Sequence, residues 1–483
     1  MDGMAYETTY FCDVKRKKNI VLENVLIEDY AAEGKSLARL DGKVIFIEHV
    51  VPGDVVDIKL TRDKKDWAEG IPLRIRSFSS DRVEPFCQHF GICGGCQWQM
   101  LPYEKQLLYK QQQVKETLQR IGKLELPALL PILGTTQSKY YRNKIEYTFA
   151  NKRYLLAHEL DDENISASQD VAGYHAKGIF DKIVDIQTCY LQPEPTNALR
   201  LAVKKFAKEN NYSFYDIREH TGLMRTMQVR ICTTGEIMLN VVFGYEDQKK
   251  IKPLLDFILL QFPQLTTLLY TINTKWNDSL HDLEPVTYSG KGYVIEKLEE
   301  FQFKIGPKSF FQTNTFQGER LYQVTRAFAE LTGNEIVYDL YCGTGSIGIF
   351  LSKQARKIIG VEMIASAVKD AKENSSLNRL SHADFFSGDV IEICDDNFFK
   401  DHGSPDVIII DPPRAGMHEK LVRKILEMKT PFVVYVSCNP ATQARDLNLL
   451  GEKYAVMKIQ PVDMFPHTHH IENVVQLKLR TKM

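Results

Sequence analysis

The stretch EIVYDLYCGTGSIGIFL, residues 335–351, decides how the C-terminal part of this chain folds. An apolar run rich in β-formers breaks at Gly343 and Gly345 and resumes with helix-forming residues, as a strand does when it turns into a helix through a glycine loop. Downstream the alternation continues: KIIGVEM, a helical stretch, ADFFSGDV, DVIIIDPP, the helical HEKLVRKILEMK, FVVYVSC, and a closing pair, YAVMKIQPV and NVVQLKL. Upstream, residues 315–332 read as a helix that ends at Gly333. Apolar strands separated by helices predict a parallel, doubly wound sheet covered on both faces, a Rossmann-like α/β domain over 306–483.

In such a sheet ligands bind beyond the carboxyl ends of the strands, and the glycines at 343 and 345 let a backbone approach closely. Glu362 ends the second strand, where a carboxylate can accept from ribose hydroxyls. Spacing alone does not separate a dinucleotide from S-adenosylmethionine, but the DPPR at 411–414 favours the methyl donor. Pro412 and Pro413 stiffen the turn and hold the Asp411 carboxylate at the active edge. Cys438 ends the next strand and precedes Asn439-Pro440, a cap and first turn. A thiol beside a helix start is expected to have its pKa lowered from about 8.5. A structural cysteine and a strand-end Asp-Pro are the bland alternatives.

A thiolate has a use in methyl transfer to a pyrimidine. Carbon 5 is a poor nucleophile until a thiolate adds to carbon 6; the adduct must then lose the carbon 5 proton to a base before the thiolate departs. Glu472, at the start of the last strand, is the candidate base. His467, His469 and His470 just before it are expected to shape the loop, one of them orienting Glu472, rather than to bind a metal.

The rest of the chain has a different texture. With 483 residues, 44% hydrophobic and 25% charged, it is too long for one core and ordinary in composition. The opening MDGMAYETTY lacks the features of a signal peptide, and the apolar stretch LLDFILLQF at 254–262 is too short to span a bilayer. A cytoplasmic protein with no membrane contact is expected. Residues 19–60 alternate short β-runs with turns at Glu33-Gly34, Asp41-Gly42 and Pro52-Gly53, which predicts a small antiparallel barrel within 1–80. A helix is predicted over 104–121, and an α+β domain over the remainder of 81–305. Residues 101–153 carry ten Lys and Arg against four Asp and Glu, interleaved with five tyrosines. That suits either a single-stranded RNA groove or a solvated helix with core tyrosines.

Nine cysteines at irregular spacing do not form a disulfide framework. CQHFGICGGCQWQ sets Cys87, Cys93 and Cys96 in a C-x5-C-x2-C arrangement. Structural zinc usually draws on two C-x2-C knuckles, whereas three clustered thiolates plus a distant fourth suit a cubane iron–sulfur (4Fe-4S) cluster. Cys189, Cys232 or a remoter cysteine would be the fourth ligand. Cys12, Cys232, Cys342 and Cys394 read as core or incidental.

The segments FFQTN, DLYCGTGSIG, GVE, DPPRAG, SCNPAT and HIENV, in this order, resemble the RNA uracil-C5 methyltransferase family. Residues 31–56 resemble the TRAM domain, an OB-like RNA-binding barrel, and CGGCQWQ resembles the TRAM-bearing, iron–sulfur branch that includes 23S rRNA uracil-C5 methyltransferases. The resemblance implies 5-methyluridine formation from S-adenosyl-L-methionine. It implies donor binding by Gln312, Tyr341, Glu362, Asp411 and, at the adenine, Asp389. It implies Cys438 as nucleophile, Glu472 as base, and Cys189, in KIVDIQTCYL, as the fourth ligand to a 4Fe-4S cluster. Asp411 is further expected to accept from uracil N3–H, and Phe310 and Phe311 to stack on a flipped base. The expected partner is RNA, 23S rRNA ahead of the tRNA T-loop; no obligate protein partner is implied and a monomer is expected. Two rivals remain: an RNA-binding protein with a vestigial methyltransferase domain, and a cytosine-C5 enzyme, whose DPP strand usually carries a cysteine that DPPR lacks.

Overall fold

The computed structural model describes residues 20–160, 162 and 164–480; Cys12 and the opening MDGMAYETTY lie outside them. The N-terminal unit is a six-stranded sheet, β1 (Val21–Leu26), β2 (Asp29–Tyr30), β3 (Ser36–Leu40), β4 (Lys43–Ile47), β5 (Val55–Asp63) and β6 (Trp67–Ser77), in the order β1-β5-β6-β4-β3-β2. The Asp41-Gly42 turn joins β3 to β4 with both residues at positive φ, 50° and 77°, as a tight hairpin requires. Alternate side chains such as Ala38, Ile45, Ile47, Val56 and Ile58 fill its small core.

The 18-residue helix α1 (Tyr103–Arg120) follows, matching the predicted span to one residue. Its apolar face is turned into the protein. Val114 and Leu118 pack in one core with Ala444 and Leu447, and Lys110, Tyr141 and Tyr147 are all buried.

The central α+β layer is a seven-stranded mixed sheet ordered β13-β12-β11-β10-β7-β8-β9. Its strands are β7 (Lys144–Lys152), β8 (Ser168–His175), β9 (Ile183–Asp185), β10 (Met224–Ile231), β11 (Ile237–Phe243), β12 (Thr267–Ile272) and β13 (Val286–Gly290). Helices α2 (Thr196–Glu209) and α3 (Gln248–Gln261) complete it. A hairpin, β14 (Val294–Leu298) and β15 (Phe301–Ile305), leads to α4 (Thr315–Ala329).

The predicted doubly wound domain then appears. Its elements are β16 (Ile336–Leu340), α5 (Ser346–Leu351), β17 (Lys357–Glu362), α6 (Ala365–Leu377), β18 (Ala383–Ser387), α7 (Val390–Ile393), α8 (Asp396–His402), β19 (Val407–Ile410), α9 (Glu419–Met428), β20 (Phe432–Ser437), α10 (Pro440–Leu450), β21 (Tyr454–Val462) and β22 (Glu472–Leu479). The strand order is β18-β17-β16-β19-β20-β22-β21, with β22 antiparallel to both neighbours. Strands buried on both faces, such as Val407–Ile410, explain the continuous apolar runs. Among the described residues no helix is long and apolar enough to cross a membrane.

Candidate active site

Sheet register alone gathers the predicted residues. Leu340 pairs with Val361 and with Ile410, and Ile410 pairs with Tyr435, so Tyr341, Glu362 and Asp411 emerge along one edge. Ser437 pairs with Asn473 on antiparallel strands, so the next residues, Cys438 and Glu472, meet at that same edge. A single parallel sheet could not bring a strand end to a strand start; the reversed β22 does.

The glycine turn is built as a cradle. Gly343 (φ 55°) has nothing within 4 Å of where a Cβ would lie, and Gly345 (φ 76°) would drive a Cβ to 2.9 Å from the Phe385 ring. The Glu362 carboxylate holds the turn, accepting from the Gly343 amide at 3.1 Å and the Ile364 amide at 2.9 Å. Tyr341 takes the left-handed conformation (φ 62°), and its hydroxyl pKa is raised by burial and by the nearby Asp389 carboxylate. Asp389 caps α7 by accepting from the Ile391 amide at 2.9 Å. Gln312 is buried next to Tyr322; its backbone carbonyl accepts from Asn143 Nδ2 at 2.8 Å, and Gly318 leaves room for it, since a Cβ there would lie 3.0 Å away.

Asp339 is a residue that sequence reasoning left without a role. It is buried, its Oδ2 accepts from the Gly348 amide at 2.8 Å, and its Oδ1 has no partner. Burial, with Asp411 and Glu362 adding to it, pushes its carboxyl up to about 7. An unpartnered buried acceptor beside an open glycine cradle fits a ligand that carries donors, as the amino group and ribose of S-adenosylmethionine do. The available signal was an acid within an apolar strand, four residues before the first glycine of the turn.

At the reacting end, burial raises Asp411 to about 7 and, with the Asp411 charge, holds Glu472 well above the carboxylate range. Neither carboxyl has a hydrogen-bond partner among the described residues. Cys438 is half-buried, and burial, Glu472 and Asp411 push its thiol up to about 11, with Arg414 pulling the other way. This corrects the expectation of a thiol ionised by its helix. Pro440 has no amide hydrogen, and Asn439 Oδ1 already takes the Ala441 amide at 3.1 Å, so two of the first amides of α10 offer the thiol nothing. Arg414, on the DPPR turn, is the charge that favours the thiolate; its carbonyl is held by Asn439 Nδ2 at 3.0 Å and Thr442 Oγ1 at 3.2 Å.

Two further expectations change. Phe310 is 68% exposed, but Phe311 is buried against Phe303 and cannot stack on a base. None of His467, His469 and His470 hydrogen-bonds Glu472. His467 and His469 instead contact Gln106, Gln97 and Trp98.

Cys87, Cys93, Cys96 and Cys189 line one cavity together with Phe86, Phe90, Tyr174 and Ile186. The Cys189 backbone is fixed on both sides by the Asn197 amide, at 2.8 and 3.2 Å. Among the described residues no group of three or more His, Cys, Asp or Glu is arranged to hold a metal ion. Cys232, Cys342 and Cys394 are buried elsewhere in the cores.

Comparison with known proteins agrees with this edge. Residues 290–480 match the tRNA (uracil-5-)-methyltransferase family and residues 22–73 the TRAM domain. An uncharacterized RNA methyltransferase of Bacteroides thetaiotaomicron is 49% identical over 93% of this chain and all of its own. The chain belongs to the RNA (uracil-5-)-methyltransferase family. A second RNA methyltransferase, from Porphyromonas gingivalis, is 47% identical over 94% of this chain and all of its own. The crystal structure of Pyrococcus abyssi tRNA (uracil-54, C5)-methyltransferase with S-adenosyl-L-homocysteine superposes with a TM-score of 0.72. It is 27% identical and covers 94% of this chain and all of its own. The methyltransferase is therefore an S-adenosylmethionine-dependent enzyme acting on RNA, and it carries a TRAM domain at residues 22–73.

Proposed function

We propose that this enzyme methylates carbon 5 of a uridine in 23S rRNA in the cytoplasm, as a monomer, through a covalent Cys438 adduct. The observation that carries the chemistry is the meeting of Cys438 and Glu472 at the end of the β20–β22 ladder, beside Asp411. Cys438 loses its proton to solvent, favoured by Arg414, and adds to carbon 6; the electron pair moves to carbon 5 and the carbon 4 oxygen. S-adenosylmethionine, when bound at Gln312, Tyr341, Glu362, Asp389 and Asp411, supplies an electrophilic methyl group. Carbon 5 takes that methyl and the thioether leaves. Glu472 then removes the carbon 5 proton, carbon 5–carbon 6 unsaturation returns, and the thiolate departs, so one proton is released per turnover. A carboxyl with a raised pKa is a stronger base once ionised, which suits it to a carbon acid. Asp411 accepts from uracil N3–H, a donor that cytosine lacks.

Cys87, Cys93, Cys96 and Cys189 would hold a 4Fe-4S cluster. Four thiols around one apolar-lined cavity support this, since a cubane needs its ligands farther apart than a single ion does. Phe310, exposed next to Gln312, would stack on the flipped base.

The Cys438→Ala protein, given RNA and labelled methyl donor, is expected to transfer no label; persistent methylation overturns the covalent mechanism. A second target, the tRNA T-loop, is favoured by the likeness to the tRNA (uracil-54, C5) enzyme. Measuring 5-methyluridine in both RNA pools of a strain lacking this gene separates the two: loss from 23S rRNA supports the proposal, and loss from tRNA alone refutes its target.

A further inference from the structure

Glu472 reaches the active edge by way of residues 463–471, the loop between β21 and β22, and its own carboxyl has no hydrogen bond among the described residues. Its position is therefore set by the packing around it and by its backbone, which is held by the pairing of Val462 with Glu472 and by the loop that leads to it. That backbone is fastened from outside at every carbonyl from 463 to 467. Gln317 Nε2 donates to Asp463 O at 2.8 Å, Asn314 Nδ2 to Met464 O at 2.9 Å, and Lys110 Nζ to Phe465 O at 3.2 Å. The Tyr141 hydroxyl donates to Pro466 O at 3.1 Å, and the amides of Gln97 and Trp98 both donate to His467 O, at 2.8 and 3.0 Å.

Three side chains on one face of α1 do most of the remaining work. Asp463 receives Lys110 Nζ on Oδ1 at 2.6 Å and the Tyr103 hydroxyl on Oδ2 at 2.7 Å, and the Lys110 and Asp463 side chains are fully buried. Gln106 Oε1 accepts from the His467 amide at 2.8 Å, while its Nε2 faces His467 Nδ1 at 3.2 Å and donates to Trp98 O at 3.0 Å. Those bonds hold His467 at φ 64°, a left-handed conformation uncommon outside glycine. A buried ion pair adds little stability over an apolar pair of the same size, so its presence under this loop argues for geometry. Cys438 is fastened separately, through Asn439 and α10.

We infer that Tyr103, Gln106 and Lys110 are positioning residues for Glu472, acting on proton removal and product release and not on methyl transfer. The inference rests on the reading of Glu472 as the base. It is tested in a single turnover of the full-length enzyme with target RNA and labelled methyl donor. Labelled protein–RNA adduct that survives denaturation is measured alongside labelled free RNA.

In Gln106→Leu, label is expected to enter the adduct within about threefold of the wild-type rate while release of free RNA slows about tenfold or more, so adduct accumulates. Adduct formation and release falling together, or neither changing, overturns the inference. Tyr103→Phe, which removes one hydroxyl, carries the same expectation if Gln106→Leu fails to fold. Glu472→Gln is the control. If it releases product at the wild-type rate, the base assignment itself fails and the inference with it; if it traps adduct while the α1 variants do not, the inference alone fails.

Discussion

Cys438 and Glu472 are the next pair beyond Ser437 and Asn473 on an antiparallel ladder, which sets a thiol against a carboxyl at one lip of the sheet. Burial and the Glu472 and Asp411 charges raise the thiol to about 11, and Arg414 opposes them. Removing a negative neighbour must lower that pKa, and removing the cation must raise it. At pH 8, alkylation of Cys438 followed on its own peptide is therefore expected to speed up in Asp411→Asn and slow down in Arg414→Met. In the wild type it should rise with pH across the whole range from 7 to 10. Equal rates in all three proteins would show that these charges do not govern the thiol.

Glu362 accepts from the Gly343 and Ile364 amides and belongs to the site proposed for the methyl donor. Glu362→Ala frees the turn and removes the acceptor proposed for the ribose. Hydrogen bonds to a charged group are worth about 1.5–3 kcal/mol, so the Kd for S-adenosyl-L-homocysteine should rise by roughly ten- to a hundredfold. Calorimetric titration reads this directly. Glu362→Gln keeps one carbonyl oxygen and is expected to fall between the two.

Asp339 is buried with a carboxyl raised from 3.8 to about 7. A carboxyl whose folded pKa exceeds its unfolded one favours the fold while protonated. That advantage is lost as pH rises from about 4 through 7, at a cost of up to about 4 kcal/mol above that window. Asp339→Asn keeps an acceptor for the Gly348 amide without the charge. Its Tm is expected to exceed that of wild type by clearly more at pH 8 than at pH 5, while affinity for the methyl donor falls. A Tm difference independent of pH would place the proton elsewhere.

The elements that periodicity specifies were legible. The helix over 103–120 and the alternation after 335 follow from spacing alone, and the strand-end acids Glu362 and Asp411 follow from that alternation. What sequence could not give were relationships made by long-range packing. Lys110 looks like a solvent or RNA-facing cation on a basic stretch until Asp463 meets it inside the protein. The dipeptide Asn439-Pro440 correctly marks a helix start, yet that start spends its amide on Asn439 and leaves Cys438 outside. The glycine turn itself reads G-x-G-x-x-G through Gly343, Gly345 and Gly348, which a dinucleotide site also uses, so the donor is better indicated by DPPR and by Cys438 than by the turn.

The cavity lined by Cys87, Cys93, Cys96 and Cys189 lies one residue from Gln97 and Trp98, whose amides hold His467. Protein purified without oxygen is expected to carry about four irons and four acid-labile sulfides per chain, with a broad visible absorption. Cys189→Ser removes the proposed ligand from outside the C-x5-C-x2-C segment and should lose most of that iron. Cys232→Ser, in a different core, should keep it. Zinc in place of iron and sulfide, or iron retained in Cys189→Ser, would overturn the four-cysteine assignment. If the metal braces the Gln97–Trp98 strap, its removal should also speed amide exchange most at 463–471 and least in the TRAM domain. Hydrogen-exchange mass spectrometry on the iron-loaded and chelator-stripped protein would show whether that loop loosens when the cluster is gone.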